Sequence, residues 1–153
     1  MIDFVIKMTT LNGRPRFVID TDPQAITDDA VLETAVIIAL FTDRQADADD
    51  EIPDGTSDVR GWWGDVLNPV NGDLIGSRLW LLHREKQLES VRKDAETYAY
   101  EALEHLFDDG VATSINVVAS YPRPEWLALW ISIHKADGTP LNFNYSWEAF
   151  NGV

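Results

Sequence analysis

The sequence contains no cysteine and few basic residues. Without cysteine the chain can form no disulfide, no thiolate zinc site and no cysteine nucleophile, which is typical of a protein that folds in a reducing cytoplasm. It has 12 Lys and Arg against 26 Asp and Glu, a net charge of −14. We therefore expect no nucleic-acid or membrane partner, because both attract basic surfaces. The charge either serves solubility or forms an acidic face for a basic partner.

Long apolar runs are missing too. The longest run, residues 35–41, is far too short to span a bilayer. The first ten residues lack a basic segment followed by a long apolar run, so the sequence predicts no signal peptide. With 45% hydrophobic residues over 153 positions, the chain can bury the core of one domain. We expect a single intracellular domain over residues 1–153.

The sequence also lacks the common catalytic and metal-binding motifs: HExxH, GxSxG, the P-loop and GxGxxG. Its three histidines are isolated: His83, His105 and His134. Asp47, Asp49 and Glu51 have the first spacing of a calcium loop. Ile52, however, stands where such loops need glycine, and Asp58 stands where they need glutamate. The sequence predicts no cofactor, no metal and no small-molecule substrate.

An N-terminal β-hairpin is predicted within residues 1–22. Apolar residues occupy alternate positions of its first strand: Ile2, Phe4, Ile6 and Met8. Asn12-Gly13 is a hairpin turn signal, because both residues tolerate positive φ. Residues 14–20 form the return strand, with Phe17 and Ile19 on one face.

A helix is predicted from about Thr27 to Phe41. Thr27 can cap it, and the two aspartates that follow suit the positive end of the helix dipole. Its second half is apolar nearly all round, which favours burial against more than one neighbour. The β-branched residues 36–38 also fit a strand. Residues 43–58 follow as an acidic loop that we expect to be mobile and solvated.

The centre of the chain, residues 59–82, is rich in glycine and tryptophan. Glycines flank Trp62-Trp63, which predicts that Gly61 or Gly64 adopts a backbone conformation available only to glycine. The two indoles either cover the core or form a protein-binding surface, since tryptophan is enriched at interface hot spots.

The second half combines one long helix with three strands. An apolar stripe predicts a helix from about Arg84 to Asp108, ended by Gly110. Alternating patterns then predict strands around residues 115–119, 127–133 and 141–147, with Asp137-Gly138 as a second hairpin turn. The predicted fold is α+β, with two main helices packed on a mostly antiparallel sheet, an N-terminal β-hairpin and a C-terminal β-meander.

Four segments carry a resemblance: LFTDRQAD (40–47), RGWWGD (60–65), GSRLWLLHREK (76–86) and DDGVA (108–112). In this order and spacing they resemble the phage Mu gene-46-type tail protein family. That family is related to the lysozyme-like baseplate wedge proteins of T-even and P2-type phages. The resemblance implies a non-enzymatic baseplate component of a contractile tail, from a phage, a prophage or a tail-like particle. It would be made in the bacterial cytoplasm and would end in the virion baseplate.

The resemblance also implies partners. These are a larger wedge protein of the baseplate-J type, the tail sheath protein and, as a further candidate, the spike or hub protein. Sheath assembly would start by extension of an intersubunit β-sheet. The first or the last predicted strand could offer the free edge this requires, or both could be ordinary paired strands.

Candidate interaction residues follow from these inferences. The related wedge proteins carry a Glu-Pro-Arg-type motif after the first helix, and residues 42–45 here lack it, so the resemblance carries over Arg44 alone. The full set of candidates is Arg44, Trp62, Trp63, Arg78, Trp80, Phe143, Tyr145 and Trp147.

An alternative function is a peptidoglycan-directed glycosidase or carbohydrate-binding tail protein, with Asp65 beside the tryptophans as the best candidate carboxylate.

Overall fold

The computed structural model describes residues 4–150, so predicted strand position Ile2 lies outside the described residues. Five strands and three helices follow in the order β1 Val5–Leu11, β2 Arg14–Asp20, α1 Asp28–Phe41, α2 Glu89–Leu103, α3 His105–Asp108, β3 Ala112–Ser120, β4 Trp126–Lys135 and β5 Pro140–Glu148. Two 3₁₀ helices, Trp63–Leu67 and Leu79–Arg84, lie between α1 and α2. The strands form two antiparallel sheets, β1-β2 and β3-β4-β5. The predicted α+β fold with an N-terminal hairpin and a C-terminal meander is confirmed.

The hairpin β1–β2 turns where the sequence predicts. Asn12 and Gly13 both have positive φ, 52° and 75°, as a two-residue hairpin turn requires. The fully buried residue of β1 is Val5, whereas the predicted inward residues Ile6 and Met8 are partly buried against the core. On β2, the three consecutive apolar residues Phe17, Val18 and Ile19 are exposed.

Helix α1 begins where its cap predicts. The Thr27 side chain accepts a hydrogen bond from the Ala30 N–H at 3.2 Å. The helix runs to Phe41, so a strand over residues 36–38 is wrong. Seven of its residues are buried, against β1 and α2 among other neighbours: Ala30, Leu32, Thr34, Val36, Ile37, Ala39 and Leu40.

The predicted long helix begins later than expected, and a turn at Glu104 divides it into α2 and α3. Residues 79–84 form a 3₁₀ helix, Leu88 is extended, and α2 begins only at Glu89. Leu88, predicted on the buried stripe, is 53% exposed. The predicted stop is confirmed. Gly110 has φ 70°, and its N–H and the next one donate to the carbonyls of Phe107 and Leu106, the usual glycine-ended helix motif.

The core lies between the helices and the meander. It collects the inward residues of β4, which are almost completely buried: Leu127, Leu129, Ile131 and Ile133. The buried face of α2 joins them, whereas Trp130 lies on the outer face of β4 and is half exposed. Among residues 4–150, no helix is both long and apolar enough to cross a membrane.

Candidate interaction surfaces

Arg78, predicted to bind a partner, lies at the centre of an internal ion-pair network. Its guanidinium is 2.9 Å from a carboxylate oxygen of Asp47 and 3.0 Å from one of Asp50. On the other side it is 2.8 Å from Glu101 and lies over the Tyr98 ring. Burial opposes its ionisation, but the hydrogen bonds to Glu101 and Asp50 outweigh that effect, so the pKa of Arg78 lies above its ordinary value. Arg78 therefore ties the acidic loop to α2.

Trp80 and Arg44 also make internal contacts. The buried Trp80 donates its indole N–H to the Arg44 carbonyl at 2.8 Å, and the Arg60 guanidinium lies over its ring. The Arg44 N–H donates to the Ser77 carbonyl at 3.0 Å. Both residues thus help to join the segment after α1 to the second 3₁₀ helix.

The acidic loop of residues 43–58 is held at several points. Besides the two pairs with Arg78, Asp43 pairs with Arg60 at 2.8 Å. Ala46 is buried, and its N–H donates to the Val59 carbonyl at 2.9 Å. The loop is therefore largely exposed, as predicted, but is fixed to the rest of the fold by nonlocal contacts. In the described part of the chain no three His, Asp or Glu side chains gather as a metal ion would need.

Residues 61–76, here called the tryptophan loop, are closed by their own hydrogen bonds. Asp65 Oδ1 accepts from the Ile75 N–H at 3.2 Å. The Asn68 side-chain amide donates to the Asp73 carbonyl at 2.9 Å and to its carboxylate at 3.0 Å. Asp65, the candidate carboxylate for a glycosidase, therefore holds the two arms of this loop together.

Glycines seat the two tryptophans. Gly61 has φ 108°, which confirms the predicted glycine-only conformation. Gly64 is needed for space, because a Cβ there would lie 2.1 Å from the ring of Trp62. Trp62 therefore lies against the loop backbone, with Trp63 beside it at a ring-centroid distance of 5.4 Å.

The tryptophan loop exposes apolar side chains instead of covering the core with them. Four are largely in solvent: Trp63 (73% exposed), Val66 (84%), Leu67 (76%) and Val70 (60%). The interpretation that Trp63 covers the core is thus wrong, while the interpretation as a binding surface stays a prediction. Apolar groups concentrated in this way on a soluble protein are typical of an interaction site.

A cavity of about 570 Å³ lies under the tryptophan loop, beside α1 and α2. Its charged and titratable lining residues are Asp65, Asp73, Glu101, Asp109, Arg44 and His105. Carboxylates thus outnumber the one arginine. The lining of the cavity is therefore acidic. Asp65 Oδ2 and Arg44 Nε, which belong to two of the lining residues, are buried and have no hydrogen-bond partner among the described residues.

Strand β5 is a free edge within the described residues, because the meander has the order β3-β4-β5. The Lys135 N–H donates to the Thr139 carbonyl at 3.0 Å, so Lys135 and Thr139 form a hydrogen-bonded pair. Along an antiparallel ladder, hydrogen-bonded and non-hydrogen-bonded pairs alternate. Asn144 lies an odd number of positions after Thr139, so its pair with Trp130 is not hydrogen-bonded. Its N–H and C=O therefore point away from β4, as do those of Asn142 and Ser146.

A groove of about 600 Å³ runs along this edge. It is formed by residues 141–146 of β5, the β1–β2 hairpin and the first turns of α1. The edge of β1 is not free in the same way. The Thr34 hydroxyl on α1 accepts from the Ile6 N–H at 2.9 Å. Between the two predicted candidate strands, the structure thus favours β5 as the open edge.

The aromatic side chains of β5 lie on its inner face. Phe143 and Tyr145 are buried in the core, and Trp147 packs edge-on against Phe41 with ring centroids 5.0 Å apart. Burial raises the pKa of Tyr145, whose hydroxyl has no hydrogen-bond partner among the described residues. The surface that β5 offers is its backbone edge, not these rings. An interaction role for the three aromatics remains a prediction.

Sequence reasoning missed several residues of the two surfaces. Val66, Leu67 and Val70 were not among the candidates. They lie between two glycines and on either side of Pro69, and this composition was a signal for an exposed turn. Asn142 and Ser146 were also missed, because outward backbone groups depend on hairpin register and not on residue type.

The comparisons with known proteins agree on one family. Residues 32–140 match the model of the family described as phage protein GP46. The baseplate protein gp46 of Escherichia phage Mu is 46% identical over 128 residues, which cover 84% of this chain and 85% of that protein. The Mu-like prophage FluMu protein gp46 of Haemophilus influenzae is 40% identical over 94% of this chain and 97% of its own length. This chain belongs to the phage protein GP46 family.

Proposed function

We propose that this chain is a non-enzymatic structural component of a contractile-tail baseplate. The name of its Mu relative, baseplate protein gp46, supports this role. The chain would act as one domain, without a cofactor, after assembly in the bacterial cytoplasm. Its partners would be a baseplate-J-type wedge protein and the tail sheath protein, with the spike or hub protein as a further candidate.

The observation that carries the mechanism is the open edge of β5. A strand from a sheath subunit that enters the groove would pair with the outward backbone groups of Asn142, Asn144 and Ser146. Each backbone hydrogen bond formed contributes about 0.5–1.5 kcal/mol net, and the walls of the groove bury the side chains of the added strand. Exposed edges normally carry features that block pairing, so an open edge inside a groove favours a specific partner strand.

The test compares Asn144→Pro with Asn144→Ala in a Mu-like phage whose own copy is deleted. Proline removes the outward N–H but no bond to β4, so the sheet should persist. Alanine changes the side chain and keeps the N–H. We expect Asn144→Pro to leave early baseplate pieces intact and to abolish sheath assembly on them, whereas Asn144→Ala assembles normal tails.

Folding is checked first by circular dichroism and thermal melting of both purified variants. Normal contractile tails in electron micrographs of a folded Asn144→Pro variant would show that β5 does not extend the sheath.

A further inference from the structure

We propose that the tryptophan loop and the acidic cavity beneath it form a second docking surface. Its occupant is a protein segment that presents an apolar pocket and, next to it, a lysine or arginine side chain. The residues that line this cavity and those that line the β5 groove are all different. The surface is therefore separate from the proposed sheet extension, and a baseplate component could engage two partners through the two surfaces.

The tryptophan loop supplies preorganised apolar anchors. Trp63, Val66 and Leu67 are each more than 70% exposed, on a loop fixed by the Asp65–Ile75 and Asn68–Asp73 hydrogen bonds. Fixed anchors lose little conformational freedom when they bind, so they favour association more than mobile ones. Tryptophan anchors that enter a partner's pocket are common hot spots of protein interfaces.

The side chains that line the cavity favour a positively charged occupant. Four carboxylates line the cavity beside Arg44 and His105, and of these four Glu101 is already paired with Arg78. An ammonium or guanidinium group of a partner would offset the negative charge of this lining and donate hydrogen bonds to its carboxylates. A second copy of this chain fits poorly, because it would bring the same acidic face and another net charge of −14.

Photo-crosslinking identifies the occupant directly. p-Benzoylphenylalanine replaces Val66, which is 84% exposed, in cells where a Mu-like phage without its own copy assembles tails. After irradiation of whole cells, the crosslinked peptide is sequenced by mass spectrometry. We expect one partner segment with apolar residues and at least one lysine or arginine within a few positions of the crosslink.

Two further substitutions, each added to the crosslinking chain, separate docking from folding. Leu67→Asp should lower the crosslink yield at least about tenfold, as loss of a hot-spot anchor does. Leu88→Asp adds the same charge at another exposed leucine, which is the N-cap position of α2 and accepts aspartate well, so the yield should not change.

A crosslink to an acidic segment, a crosslink to a second copy of this chain, or no protein crosslink at Val66 would overturn the proposal. An unchanged yield with Leu67→Asp would overturn it too. The proposed baseplate role is tested separately, by measuring whether purified tails contain this chain; its absence from them would contradict that role. Because the irradiated samples are whole cells, a crosslink at Val66 can be scored in either case.

Discussion

Replacement of Arg78 by methionine should destabilise the protein by about 2–4 kcal/mol. The Arg78 side chain is 14% exposed, and its partner Asp50 is 11% exposed, so the loss leaves a buried carboxylate without its counter-ion. Breaking a fully buried pair costs about 3–5 kcal/mol, and the 32% exposure of Glu101 reduces this value here. The half-exposed pair with Asp47 adds at most about 1 kcal/mol.

Urea denaturation measures the loss, and hydrogen exchange locates it. We expect the amide of Ala46, which donates to the Val59 carbonyl, to exchange faster as the acidic loop separates from α2. Lys93→Met, at an exposed position of α2, makes the same charge change and should alter the free energy of unfolding by less than about 0.5 kcal/mol. If Arg78→Met loses less than about 1 kcal/mol and exchange is unchanged, the network does not hold the loop.

Three further substitutions test the core and the groove. Leu103→Ala removes a completely buried side chain and should cost about 2–5 kcal/mol in denaturant melts; a loss below about 0.5 kcal/mol would contradict the placement of the α2 stripe. Tyr145→Phe removes a buried hydroxyl without a partner, so unfolding free energy should stay unchanged or rise by up to about 1 kcal/mol, and a clear loss would reveal a hidden partner. Burial raises the pKa of Glu33 above its ordinary 4.5, with the charge of Lys7 opposing the shift. Neutral Glu33 thus contributes stability that is fully present below pH 4.5 and is lost as the pH rises through the raised pKa. In urea melts, the free energy of unfolding of Glu33→Gln should therefore exceed that of the wild type at about pH 7 and equal it at about pH 4. Equal stability of the two proteins at both pH values would contradict this.

Local signals predicted the elements that depend on local chemistry. The Asn12-Gly13 turn and the Thr27 cap each follow from the conformational preference or hydrogen bonding of one or two residues. The inward face of β4 follows from strict alternation of apolar residues. These features need no information about the rest of the chain.

Nonlocal contacts explain what the sequence did not predict. The sequence predicted a helix from about Arg84. However, Leu81 and Leu82 are buried in a 3₁₀ helix beside α2 that ends at Arg84, and the chain is extended at Leu88 before α2 begins. Arg78 seemed free for a partner in the sequence, because its carboxylates lie 23 to 31 positions away. The open edge of β5 depends on strand order, which no single segment encodes.

A structure of the assembled tail at a resolution that separates strands would test the central claim most directly. We expect a strand of another subunit to lie in the groove, hydrogen-bonded to the outward backbone groups of Asn142, Asn144 and Ser146. If the chain occupies the baseplate with the β5 edge facing solvent, or with only side-chain contacts along the groove, the proposed initiation of the sheath by β-sheet extension is wrong.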